Sequence, residues 1–146
     1  SAYSEVQTQF KDGDALIEAL QEMGFKPQNH IGNPQPLVGY QGDYRTADGE
    51  EHTRDINQAM KADIILPRAQ VGNASNDIGF VKGVDGTFGA IISDYDSTKH
   101  NTAWLNQVRV KYTAKMVQKQ AKRAGLRQVG DGKLVNGKMQ YIFLKA

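Results

Sequence analysis

The sequence predicts a single α+β domain, a mainly antiparallel sheet with two helices on one face. Three observations carry this. Apolar residues switch between two-residue alternation and helical spacing in the order β-α-β-β-β-β-α-β-β. Asp85-Gly86 and Asn136-Gly137 sit between apolar runs, and such dipeptides favour tight hairpins and hence antiparallel neighbours. Two helical stretches each open at an Asp or Asn and close at a glycine.

The elements follow in order. Ala2 to Phe10 alternates polar and apolar residues, with Val6, Thr8 and Phe10 in register, and reads as a strand. Asp12 is the N-cap of the first helix, with Asp14 and Glu18 early, where the helix dipole favours acids. Leu16, Ile17, Leu20 and Met23 form its apolar stripe, and Gly24 stops it. Phe25 to Ile31 is a brief extended piece, broken by the glycine and prolines of residues 32–36. Leu37 to Gly42 reads as a strand. Asp43 to Met60 is polar and acidic, a loop or a short helix near Arg54 to Met60. Ala62 to Arg68 is a strand of the buried type, ended by Pro67. Ile78, Phe80, Phe88, Ile91 and Ile92 give apolar faces to a hairpin turning at Asp85-Gly86. Asn101 or Thr102 caps a long helix that runs to Ala124 and stops at Gly125. A last hairpin turns at Asn136-Gly137, with a bulge at Asp131-Gly132.

The 146 residues suffice for a core without staples, and the absence of cysteine excludes disulfides, thiolate zinc sites and a thiol nucleophile. No window reaches the length of apolar residues a membrane span needs, and the N-terminus lacks the features of a signal peptide. The expectation is a soluble, cytoplasmic protein without a membrane partner. The net charge of +2 hides an asymmetry. Residues 1–103 hold 8 Lys+Arg against 15 Asp+Glu, and residues 104–146 hold 10 against one, Asp131. A basic third of this kind attracts polyanions or an acidic protein surface.

Most of that charge lies on the long helix, where Val108 to Arg123 contains no acid. At one hundred degrees per residue, Val110, Ala114, Val117, Ala121 and Ala124 share one face, taken as the core face. Leu105, Val108, Tyr112 and Met116 form a second apolar stripe. A helix with two apolar faces must hide both, so this stripe is the candidate surface for a protein partner or a second copy. Lys111, Lys115, Lys119 and Lys122 form a ridge opposite the core face, the candidate nucleic-acid contact, with Tyr112 or Tyr141 to stack on a base. The alternative is a solvated face, or one covered by the acidic segment 43–60.

Enzymatic signals are sparse. His30, His52 and His100 are isolated in sequence. Asp94, Asp96 and His100 lie within seven positions and are the candidate metal ligands, although such runs more often cap turns. Asp77, Asp94 and His100 mark the place where a small enzyme site would form. G-x-S-x-G, H-E-x-x-H and G-x-G-x-x-G are absent, and the glycines of Gly83 to Gly89 lack the lysine of a phosphate loop. No catalytic residue and no cofactor is assigned.

Several blocks together resemble a known family. They are the start through Phe25, then Val38 to Gly42, Ala62 to Leu66, Asn76 to Phe80, Asp85 to Phe88 and Ser93 to Asp96. The surroundings of Val110 to Tyr112 and the final hairpin continue the likeness. In this order they resemble the hypothetical chloroplast reading frame number thirty-five proteins and their cyanobacterial relatives. Family members begin Met-Ser-His-Phe-Ser, which Ser1 to Ser4 matches once the initiator methionine is removed. Asp43 to Met60 looks like an insertion, and Tyr95-Asp96 stands where members often carry a tryptophan pair. The resemblance implies an α+β fold, a photosynthetic lineage with a cytoplasmic or plastid-stroma location, and a domain of unknown function with no catalytic residues to carry over. The function expected from the sequence is therefore a non-enzymatic protein-interaction or self-association module.

Overall fold

The structure is a computed structural model and describes residues 2–146. In chain order its elements are β1 (Tyr3–Gln7), α1 (Gly13–Glu22), β2 (Gln28–Asn29), β3 (Gln35–Pro36), β4 (Tyr44–Arg45), β5 (His52–Thr53), β6 (Lys61–Ala62), β7 (Ile64–Leu66), α2 (Arg68–Val71), β8 (Ile78–Lys82), β9 (Phe88–Ser93), α3 (Thr102–Arg123), β10 (Leu126–Val135) and β11 (Lys138–Lys145). The fold is α+β. Its central sheet has five strands in the order β1-β9-β8-β7-β2, every neighbouring pair antiparallel.

The helix signals act as the sequence implies. Asp12 accepts the Ala15 N–H at 3.0 Å and starts α1. Asn101 accepts the Trp104 N–H at 3.1 Å and starts α3. Both helices stop at a glycine in the left-handed region, Gly24 and Gly125, a conformation disfavoured for any residue with a Cβ. Both pack on one face of the sheet. Leu16 and Leu20 of α1 join Trp104, Leu105 and Val108 of α3 over Ile64, Leu66, Ile78, Phe80, Phe88, Ala90 and Ile92. The opposite sheet face carries Tyr3, Ile65 and Ile91, covered by Leu37 and Ala62. The cover lies so close at Gly79 that a Cβ there would stand 2.6 Å from the Ala62 Cβ.

Three segments depart from expectation. Leu37 to Gly42 is not a strand. The pairing of β3 against β6 ends at Leu37, whose N–H donates to the Met60 carbonyl at 2.9 Å, and the next N–H groups turn chiefly to side chains. The Val38 N–H donates to Asp77 at 2.8 Å and the Tyr40 N–H to Asn76 at 2.8 Å. Residues 43–60 form a small hairpin, β4 with β5, followed by one 3-10 turn at Ile56–Gln58. This segment does not cover the lysines of α3. It is tied to the start of the sheet, where the Gly49 carbonyl accepts the Tyr3 N–H at 2.9 Å. Third, the C-terminal hairpin turns at Asn136-Gly137, both at positive φ, with an irregularity between Val129 and Lys133, as its dipeptides imply. Yet it joins no other strand: β10 and β11 pair only with each other.

Candidate functional site

The angular reading of α3 holds only in part: Ala121 of the expected core face is buried and Ala114 and Val117 are half-buried, but the second stripe carries most of the core contact. Leu105 and Val108 are buried in the core, and Tyr112 packs against it with its ring 4.7 Å from that of Phe10. The Tyr112 hydroxyl accepts the N–H groups of Lys11 at 3.0 Å and Asp12 at 3.1 Å, tying α3 to the turn before α1. Met116 is half-buried. Val110, assigned to the core by its angle, is 47% exposed. The stripe Leu105, Val108, Tyr112 and Met116 is thus chiefly the core face of α3: Val108 is fully buried, and Leu105, though buried, reaches the wall of a groove beside β1 with Tyr112. The reason is bulk. Trp104, Leu105, Val108 and Tyr112 bury more apolar surface than an alanine face can, and the larger face takes the core.

That rotation brings the lysines to α1. Lys115 lies 2.8 Å and Lys111 3.3 Å from the Glu22 carboxylate, and Lys119 pairs with Asp12. The Lys115 ammonium, opposed by burial and helped by Lys111, holds the Glu22 carboxyl below its ordinary range. Burial pushes the Asp12 carboxyl up, but Lys119 and the Ala15 N–H outweigh it, and its pKa is lowered. Lys122 is exposed beside these pairs and lines the cleft between α1 and α3 with Asp14, Glu18 and Arg123. Three of the four ridge lysines therefore face acids of the same chain.

The polar end of the sheet holds the remaining candidates, and it is built inward. Asp96 is buried and accepts the Asn76 N–H at 2.9 Å and the Ser93 hydroxyl at 2.9 Å. Asp77 accepts the N–H groups of Val38 and Arg68, and burial raises its pKa despite them. The Tyr3 hydroxyl donates to the Asp77 carbonyl at 3.0 Å, and burial pushes its pKa far up. Asp94 is exposed. His100 stands edge-on to Trp104, 4.9 Å between ring centres, and burial lowers its pKa. A cleft of about 480 Å³ has Ser75, Asp96, Lys99 and His100 in its wall, without Asp77 or Asp94. Among the described residues no group of three or more His, Cys, Asp or Glu is placed to hold a metal ion.

One cluster escaped the sequence reading. Arg45 and Asp43 form a buried ion pair at 2.6 Å, and His52 Nδ1 meets the same carboxylate. Burial pushes Asp43 up, while His52 and Arg45 outweigh it and lower its pKa. The cluster pins the β4–β5 hairpin to the loop before it. The adjoining cleft, about 250 Å³, is walled by Tyr40, Gln41, Ala74, Asn76 and Tyr95 as well.

The C-terminal ribbon carries a group of exposed apolar residues. Val129, Leu134, Met139, Ile142 and Leu144 are 40–67% exposed. The register places Val129 opposite Ile142 and Arg127 opposite Leu144, so one ribbon face carries Val129, Ile142 and Leu144 together. Tyr141 and Phe143 point to the other face, where the Tyr141 ring lies over Gly132. The signal was present in Lys138 to Lys145, where apolar residues follow one another on both alternating faces instead of one. Arg127, Lys133, Lys138 and Lys145 border the ribbon against the single acid Asp131.

Residues 19–142 match the model of the family described as "Protein of unknown function (DUF1257)", and the chain belongs to that family. No curated protein and no solved structure matches the chain. Among the described residues no helix is long and apolar enough to cross a membrane.

Proposed function

We propose that this chain is a non-enzymatic protein-interaction module whose docking element is the C-terminal ribbon. One observation carries the reading. Among the described residues the two-stranded ribbon pairs with no other strand, while Val129, Ile142 and Leu144 stay exposed on one face and Leu134 and Met139 on the other. The ribbon packs on α3 through β10, and the apolar residues Val129, Ile142 and Leu144 that it leaves exposed together on one face mark a place of contact. The buried carboxylates of the body are engaged by backbone N–H groups, hydroxyls or cations.

The alternative partner is nucleic acid. It draws support from the ribbon cations and from Lys122, but less from Lys111, Lys115 and Lys119, which face Glu22 and Asp12. A salt series separates the two readings. Apolar docking survives salt, whereas phosphate contacts lose affinity with a slope of roughly −0.7 per contact for single strands. The experiment is fluorescence anisotropy of labelled single- and double-stranded oligonucleotides, run beside sedimentation velocity of the protein at 50 and 500 mM NaCl. The docking reading expects no oligonucleotide binding at either salt. Binding that falls steeply with salt, and is lost on Lys133→Glu plus Lys138→Glu, would replace it with the nucleic-acid reading.

A further inference from the structure

We infer that the ribbon's partner is a second copy of this chain, and that strand β11 of one copy adds to the open edge of β1 in the other. The inference rests on the reading of the ribbon as a docking element and names its occupant.

Strand β1 is the edge of the central sheet. Its Tyr3 N–H bonds outward to the Gly49 carbonyl, and the Thr8 N–H bonds inward to the Phe88 carbonyl. Backbone directions alternate along an antiparallel strand, so Glu5 and Gln7 point their N–H and C=O groups away from the sheet. No other strand pairs with them. An exposed row of this kind is a template for a further strand. On the helix side of this edge runs a groove of about 360 Å³, with Val6, Phe10, Leu105 and Tyr112 among its walls. The chain's own ribbon does not line it.

Strand β11 fits this place in three ways. It is the outer strand of the ribbon, since β10 is the one packed on α3, so its far edge is open. Its Ile142 and Leu144 share one face and are 65% and 49% exposed, which suits them to an apolar groove. The charges are complementary. The edge carries Glu5, and Gly49, bonded to Tyr3, belongs to the acidic turn of Asp48, Glu50 and Glu51, while β11 begins and ends with Lys138 and Lys145. Arg109 also lines the groove and is the one Lys or Arg among its described lining residues. Each copy holds one ribbon and one β1 edge. Reciprocal exchange therefore closes a two-fold dimer and leaves neither surface open.

The chain has no cysteine, which makes a cross-linking test clean. Val6→Cys and Ile142→Cys proteins are prepared separately, mixed and oxidised. The expected result is a disulfide-linked dimer in the mixture and none from Val6→Cys alone. Sedimentation velocity of the unmodified chain at about 100 μM should give twice the chain mass. Glu5→Lys with Glu51→Lys leaves the ribbon untouched and should weaken the dimer roughly tenfold with the circular dichroism unchanged. A monomer at that concentration overturns the second copy as partner. So does a cross-link formed by Ile142→Cys with itself and absent from the mixture, which would mean that ribbons pair with ribbons. Failure of the docking reading would show elsewhere, as salt-sensitive oligonucleotide binding.

Discussion

Replacing Val108 by alanine, beside the same change at Val110, tests which face of α3 holds the core. Val108 is fully buried, whereas Val110 is 47% exposed. Each substitution removes two carbons, about 0.8 kcal/mol apiece when buried. At Val108 an unfilled cavity adds about 1 kcal/mol more, at roughly 24 cal/mol per Å³. Alanine is the better helix former by about 0.5 kcal/mol, which offsets part of the loss at both sites. Val108→Ala should therefore destabilise by about 2 kcal/mol and Val110→Ala by less than about 0.5 kcal/mol. Urea unfolding followed by circular dichroism reads both. With a slope of about 2 kcal/mol per molar, the first midpoint falls by about 1 M and the second hardly moves. Equal losses, or a larger loss at Val110, would refute the packing of α3 and return its alanine face to the core.

Tyr112→Phe keeps the ring against Phe10 but removes the acceptor for two N–H groups, and should cost about 1–2 kcal/mol in the same assay, with faster amide exchange at Lys11 and Asp12. Acid should loosen the helix pair. Folded Glu22 and Asp12 have pKa values below their ordinary 4.5 and 3.8, so their contribution is complete above pH 4.5 and is lost as pH falls through the lowered values. Glu22→Gln with Asp12→Asn should flatten the decline of unfolding midpoint with pH in that acid range, and an unchanged slope would count against the pairs. Gly79→Ala drives a Cβ to within 2.6 Å of Ala62 and 2.8 Å of Leu37, both buried, and should destabilise by about 1–3 kcal/mol. A calorimetric midpoint equal to that of the parent chain would place the segment 35–62 farther from the sheet.

Local signals were legible wherever one residue type satisfies a backbone requirement by itself. Asp12 and Asn101 donate no choice to tertiary packing; each offers an oxygen to an orphan N–H, and each starts its helix. Asn136-Gly137 supplies the two positive φ angles of a tight hairpin. What could not be read was any choice between comparable surfaces. The two stripes of α3 differ by angle in sequence, but which one meets the sheet depends on side-chain volume against a partner far away in the chain. Leu37 to Gly42 has strand composition, yet Asp77 and Asn76 take its N–H groups, and nothing near residue 40 announces them. The Asp43–Arg45–His52 cluster is the same case, since a hairpin brings His52 back to a carboxylate nine positions earlier.

The charge asymmetry of the sequence acquires its meaning from what the fold neutralises. Along α3, Lys111, Lys115 and Lys119 meet Glu22 and Asp12, so part of the basic third and part of the acidic body cancel inside one chain. The cations outside these pairs include Arg127, Lys133, Lys138 and Lys145 on the ribbon, and the acids beside the β1 edge include Glu5, Glu50 and Glu51. Each set borders the exposed apolar residues of its own surface, Ile142 and Leu144 on one side and Val6 on the other. Natural edges are usually protected by charge, and here the protecting charge on one edge is attractive to the other. That arrangement disfavours edge pairing between like surfaces, β1 with β1 or β11 with β11, and favours the unlike pair. Low ionic strength should therefore strengthen the β1–β11 contact, whereas a ribbon-to-ribbon contact should be strengthened by salt that screens its lysines. The sign of the salt dependence in sedimentation distinguishes the two geometries without any substitution.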